Sequence, residues 1–243
     1  MATKYGFNVY SGQGYIDWNT VVSQGGKDFA LIRAGYDDGT TGYVESRWLY
    51  NASECNRLNF PIGAWWFCYA YTRQAAYANG VAAANAVLNN NITLTYPLYY
   101  DVEDATFTEW ANHGVTPTTA LVHDVIAAWC AGVASRGITP GLYFNWNTYS
   151  TYNFQTLLAN NPSWSHWIAQ WSSTAPSWET WDFWQYSSGD YSSNMIPGIQ
   201  YSVDLDVMAD GYVPPTPPTP PGPYPTPTLS NMPIWFIKPR KIL

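Results

Sequence analysis

The chain has 243 residues, enough for one sizeable domain with a real core and too few for two. It is acidic, with a net charge of -7 and only 10 Lys plus Arg, and no basic run crosses its main body, which argues against nucleic acid as a partner. The 14 Trp and 20 Tyr, beside a charged fraction of 11%, are more amphipathic rings than a core can hide, and such rings suit the faces of sugars.

In chain order, strand and helix signals alternate. Tyr5 to Val9 reads as a first strand, followed by the Gly-rich turn Ser11-Gly12-Gln13-Gly14 and a short helix from Asp17 toward Gln24. Phe29 to Arg33 is a second strand, with a loop over Asp37 to Gly42 and a helix from about Glu45 to Leu58. Phe60 to Phe67 is the third strand, its Pro61 near the start where a missing N–H is tolerated. An Ala-rich helix, Arg73 to Leu88, stops at the three asparagines 89–91, which are suited to a left-handed turn. Tyr96 to Asp104 is the fourth strand. Thr116-Pro117 offers a cap followed by proline at the first helical position, opening a helix that runs to about Arg136 before Gly137. Ile138 to Phe144 is the fifth strand and Tyr152 to Ala159 a shorter helix. Trp164 to Gln170, Trp181 to Tyr186 and Tyr201 to Val207 then read as strands with little helix between them. Five βα units followed by three strands predict an α/β fold, a modified TIM-like barrel rather than a symmetric eightfold one.

The chemistry concentrates in the fourth strand, Tyr99-Tyr100-Asp101-Val102-Glu103-Asp104. On an extended backbone Asp101 and Glu103 face the same way, and the C-terminal ends of barrel strands are where catalytic groups sit. Repulsion and partial burial would raise the proton affinity of one carboxyl, giving one acid and one base, the equipment of a glycosidase. Their α-carbons, two residues apart, lie about 6.6 Å from each other, which permits either the retaining or the inverting separation of the carboxyls. His113, His123 and His166 are scattered and lack metal spacing. No G-x-S-x-G elbow or phosphate-cradling loop is present, so serine-hydrolase and nucleotide-dependent readings fall away.

Cys55, Cys68 and Cys130 are an odd number, far apart, and indicate neither a disulfide framework nor a zinc site. Residues 1–212 are expected to form the catalytic domain, 213–228 a Pro/Thr-rich linker that stays extended, and 229–243 a short basic, hydrophobic tail, either disordered or a truncated module. Met1 to Tyr5 runs directly into a strand without an apolar leader, and no stretch is long enough to cross a bilayer. Either the protein is exported by other means or a leader has been removed.

Several segments in this order resemble the Chalaropsis-type lysozymes, glycoside hydrolase family 25: Gly6-Phe7-Asn8-Val9, Gly12 to Trp18, Leu31 to Tyr36, Phe60 to Ala64, Tyr100 to Glu103, Gly141-Leu142-Tyr143, Trp167 to Trp171, Trp184 to Ser188 and Ser202 to Leu205. The resemblance runs from about Tyr5 to Met208. It implies a (β/α)5(β)3 barrel, hydrolysis of the β-1,4 bond between N-acetylmuramic acid and N-acetylglucosamine in peptidoglycan, no metal or organic cofactor, and a monomer. It assigns Glu103 as general acid/base, Asp101 as its partner and Asp204 as a further acid in the groove. Tyr69, Tyr143, Trp184 and Gln185 become candidate substrate contacts, and Arg33 either a pocket residue or half of a structural ion pair. One departure stands out. The family's first strand carries Asp where this chain has Asn8, and an amide can hold a hydrogen bond but cannot take a proton or offset a developing cation. The alternative is therefore a catalytically weakened module that binds cell-wall glycan.

Overall fold

The computed structural model describes residues 3–189 and 194–219. Eight strands close into a barrel: β1 (Lys4–Val9), β2 (Phe29–Asp37), β4 (Ile62–Phe67), β5 (Leu98–Asp101), β6 (Pro140–Asn145), β7 (Ser165–Ala169), β8 (Phe183–Ser187) and β9 (Asp204–Met208). The first seven run parallel, while β9 is antiparallel to both β8 and β1 and so seals the barrel. Helices α1 (Trp18–Gln24), α2 (Trp48–Arg57), α3 (Arg73–Leu88), α4 (Asp104–Asn112), α5 (Thr119–Ala134), α6 (Trp146–Thr151) and α7 (Phe154–Ala159) follow the first five barrel strands. No helix among the described residues is long and apolar enough to cross a membrane.

Alternation along the strands builds two cores. Outward residues such as Ala30, Ile32, Ala64, Trp66, Tyr100 and Phe144 bury against the helices, while Phe29, Leu31, Trp65, Tyr99, Trp167 and Phe183 fill the barrel. Helices α3 and α5 touch backbone to backbone because Gly80 and Gly132 face each other; a Cβ on either would run into the carbonyl of Trp129 or Tyr77. All three cysteines are free and buried.

Four local expectations are corrected. The loop expected over Asp37 to Gly42 shrinks to 38–41: β2 runs past Arg33 to Asp37 and turns through Asp38, whose carboxylate accepts from the N–H groups of Thr40 and Thr41, into β3 (Gly42–Val44). The acidic strand ends at Asp101, and Asp104 begins α4, which sequence reading missed. Thr118 rather than Thr116 caps α5, its hydroxyl accepting from the Leu121 N–H, so Pro117 lies outside the helix. The helix expected over Tyr152 to Ala159 is α7, and an unexpected short helix, α6, precedes it, the two parted at Asn153, whose φ is 50°. The asparagine stop after α3 does hold, with Asn91 at φ 54°. Residues 213–219 carry no helix or strand, and Thr139 donates to the carbonyl of Pro215 at the barrel base. The rest of the expected linker and the whole tail, 220–243, lie outside the described residues.

Candidate active site

The C-terminal ends of the parallel strands and the start of β9 open on one cavity of about 350 Å³, lined by Asn8, Arg33, Asp101, Glu103, Tyr143, Gln185 and Asp204 among others. It lies between two more. One, of about 400 Å³, shares Asn8, Tyr10, Ser188 and Asp204 and extends past Gln13 and Tyr201. The other, of about 610 Å³, shares Glu103, Tyr143 and Trp171 and extends past Asn145, Trp146 and Asn147. Together they form a trough across the barrel mouth, with the acids near its middle and half-exposed rings, Tyr201 on one side and Trp171 and Trp146 on the other, along its rim.

Asp101 is buried at the last position of β5, where it pairs in register with Tyr143. Val102 stays in the ladder through its N–H to the Tyr143 carbonyl, so the chain remains extended as far as Glu103 and both carboxyls face the cavity. Glu103 then caps α4, its backbone N–H donating to the Thr106 hydroxyl at 3.2 Å. Burial pushes the Asp101 carboxyl well above the usual carboxylate range, and the neighbouring Glu103 pushes it further. Burial also raises Glu103, reinforced by Asp104 and Asp204, while Arg33 pulls both groups back toward ionisation. Sequence reading expected one raised carboxyl. Burial raises both, and each carboxyl bears on the ionisation of the other.

Arg33 does both things foreseen for it. Its Nε lies 3.3 Å from Glu45 Oε2, and its guanidinium is caged by Tyr36, Trp65, Phe67 and Tyr10, with ring centroids 5.0 to 5.9 Å away, yet it still lines the cavity. A bulge in β2 between Arg33 and Gly35 sets it there. Opposite, Gln185 ties the wall together: its carbonyl accepts from the Tyr143 hydroxyl at 3.0 Å and the Trp171 indole at 2.9 Å, and its amide donates to Asp204 at 3.3 Å. Asp204 also accepts from the Gly189 N–H. Asn8 donates to Asp206, one layer deeper, at 3.1 Å.

Two expected contacts do not join this group. Trp184 precedes inward-facing Gln185 and so turns outward, its indole donating to the Gln170 carbonyl at 2.8 Å. Tyr69 stacks behind Phe67, ring centroids 4.7 Å apart, and lines none of the three cavities. Conversely, Trp65, Phe67, Trp167 and Trp171 line the pocket without having been singled out. Period two from Arg33's neighbours on β4 would have pointed Trp65 and Phe67 inward; the position of Trp171, beyond the end of β7, left no such signal.

A family model for glycosyl hydrolases family 25 matches residues 7–195. Among solved structures, the chain is similar to the modular autolysin LytC of Streptococcus pneumoniae in complex with a synthetic peptidoglycan ligand (TM-score 0.72, 24% identity, 85% of this chain and 47% of that one). It is likewise similar to the catalytic domain of endolysin ply40 from bacteriophage P40 of Listeria monocytogenes (0.67, 17%, 86% and 94%) and a bacterial lysozyme from Streptomyces coelicolor (0.62, 23%, 86% and 93%). These likenesses share the barrel. The chain spans about half the length of the pneumococcal autolysin. No curated protein sequence matches it.

Proposed function

The chain belongs to family 25 of the glycosyl hydrolases, a family of glycoside-cleaving enzymes, and on that footing we propose that it is a muramidase, hydrolysing the β-1,4 bond between N-acetylmuramic acid and N-acetylglucosamine in peptidoglycan. The observation that carries this reading is the pair Asp101 and Glu103, both resisting ionisation, at the centre of a trough of three adjoining cavities. Family membership supplies the reaction class; the trough supplies the polymer.

Glu103 is the proton donor. It is the less buried of the two, and its raised proton affinity keeps it protonated where a free carboxyl would be ionised. As the bond to the anomeric carbon stretches, Glu103 delivers its proton to the glycosidic oxygen, and positive charge spreads over the ring oxygen and anomeric carbon. With that proton gone both carboxyls are ionised, and the developing cation offsets the burial that disfavours charge on Asp101. It acts either directly on the oxocarbenium-like centre or by orienting the substrate's N-acetyl group to attack. Asp101 Oδ1 has no hydrogen-bond partner among the described residues, and an N-acetyl N–H or a sugar hydroxyl would supply one. Arg33 offsets the pair's negative charge and favours its ionisation, and Gln185 holds Asp204 and Tyr143 as a fixed wall. Asn8, committed to Asp206, neither gives nor takes a proton.

The test is the identity of the new reducing end. Purified peptidoglycan is digested, reduced with borohydride and hydrolysed: muramitol is expected, whereas glucosaminitol would assign the other glycosidic bond. The glycan-binding reading, in which Asn8 has cost the chain its chemistry, predicts protein that sediments with walls and releases no reducing ends.

A further inference from the structure

Asp206 has no part in the chemistry above, yet it is among the most expensive residues in the barrel to keep. It is fully buried on β9, two residues below Asp204, and no ion pair reaches it among the described residues. Its Oδ2 accepts from the Asn8 amide at 3.1 Å and its Oδ1 from the Trp167 indole N–H at 2.8 Å. Charged and titratable groups act on it only from a distance: Asp204 on its own strand, Lys27 ahead of β2, and the phenols of Tyr143 on β6 and Tyr186 on β8. A carboxyl left in such a place without a cation is costly unless its position does something. Both of its donors, Asn8 and Trp167, line the reaction cavity. One buried carboxyl therefore holds two walls of the site from beneath.

We propose that Asp206 is a positioning residue that orients Asn8 and Trp167 in the reaction cavity, and that Asn8 and Asp206 form a polar pair in which the acid must be deep and the amide at the mouth. Asn8 is then a requirement of the acid beneath it rather than a lost catalytic group. The inference uses the muramidase reading only for the substrate on which it is measured.

The hydrogen-bond inventory makes the pair's logic explicit. With Asn8→Asp alone, two carboxyls meet where an amide met one, neither can donate unless a proton is trapped between them, and Asn8's hold on the cavity wall is lost. With Asp206→Asn alone, the new amide must spend its oxygen on the Trp167 N–H and offer its NH2 to Asn8, which has to flip and present a donor where it presented an acceptor. With both changes together every partner is satisfied again: residue 206 accepts from Trp167 and donates to the carboxylate at position 8. Only the layer holding the acid has moved.

The experiment measures kcat, KM and their pH dependence on purified peptidoglycan for wild type, the two single variants and the exchange N8D/D206N, with thermal unfolding of each. Each single variant is expected to lose about ten-fold or more in kcat, and the exchange to recover at least about ten-fold over the worse single variant, with a pH profile displaced from wild type because an acid now faces the cavity. Asn8→Asp at or above wild-type activity, or an exchange no better than the worse single variant, overturns the proposal. Should Asn8→Asp fail to fold at neutral pH, unfolding decides: its stability should recover on acidification, where the carboxyl pair holds a proton, while the exchange should not need acid. Equal instability at both pH values also overturns it. A wild-type chain inactive on peptidoglycan would sink the muramidase reading and leave the unfolding comparison to judge the pair.

Discussion

The two ends of the barrel interior are built from the same strands and obey opposite rules. At the base, Phe29, Tyr96, Phe183 and Tyr212 meet edge to face with ring centroids 5.2 to 5.6 Å apart for Phe29–Tyr96, Phe29–Phe183, Tyr96–Phe183 and Phe183–Tyr212. Its polar groups are paired: the Tyr99 hydroxyl lies 2.8 Å from Ser165 Oγ, which donates to Asp182 at 2.7 Å. At the mouth, Asp101 Oδ1 and Trp65 Nε1 are buried without a hydrogen bond among the described residues, and two carboxyls crowd each other near a caged guanidinium. The base is arranged for stability. The mouth gives up stability to hold charge where a sugar would meet it.

Substitutions sharpen that contrast, beginning with the largest effect. Glu103→Gln should lower kcat on peptidoglycan by about 10²–10⁴-fold, the span of a general acid's contribution, without loss of thermal stability, because a neutral amide relieves the crowding. Phe183→Ala at the base should do the reverse, costing about 3–5 kcal/mol in denaturant unfolding while the folded fraction keeps its specific activity. Trp146→Ala, which removes an exposed ring from the end of the trough, should raise KM about two- to ten-fold and leave kcat nearly unchanged.

The smallest effect concerns Asp37, at the mouth end of β2. Its Oδ1 accepts from the N–H groups of Gly39 and Tyr69, both at 3.0 Å, while its Oδ2 is buried unpaired, and burial raises its carboxyl to about 7. A carboxyl raised on folding binds its proton more tightly in the native chain, so its contribution to stability is present at low pH and is lost as pH rises from about 4, the unfolded value, to about 7. Asp37→Asn keeps both accepted bonds and should remove that slope from the pH dependence of unfolding.

How much of this was legible in the sequence follows the same division. The barrel was, because period-two strands alternating with Ala-rich or capped helices leave few other architectures. The acidic pair was, because Asp101 and Glu103 stand two apart at a strand end. Helix α4 was not, and Glu103 shows why: with φ -139° and ψ -176° its backbone is extended, so a helix N-cap following directly on a strand prolongs the strand's pattern. The hairpin to β3 pairs only Gly35, Tyr36 and Asp37 with Val44, Tyr43 and Gly42, too short an alternation to stand out from a loop. In the sequence Asp206 is only an acid two residues past Asp204. Its bond to Asn8 joins residues 198 positions apart, and no local pattern carries that.

The claim on which the rest depends is that the paired carboxyls at the mouth keep a proton beyond the range of ordinary carboxylates, and the pH dependence of kcat/KM on peptidoglycan tests it most directly. The account predicts activity that persists well above the value of about 4.3 for a free glutamic acid, declines only as the pair gives up its proton, and loses this declining limb in Glu103→Gln. A limb falling at or below the free-carboxyl value, or the same limb surviving in Glu103→Gln, would contradict it.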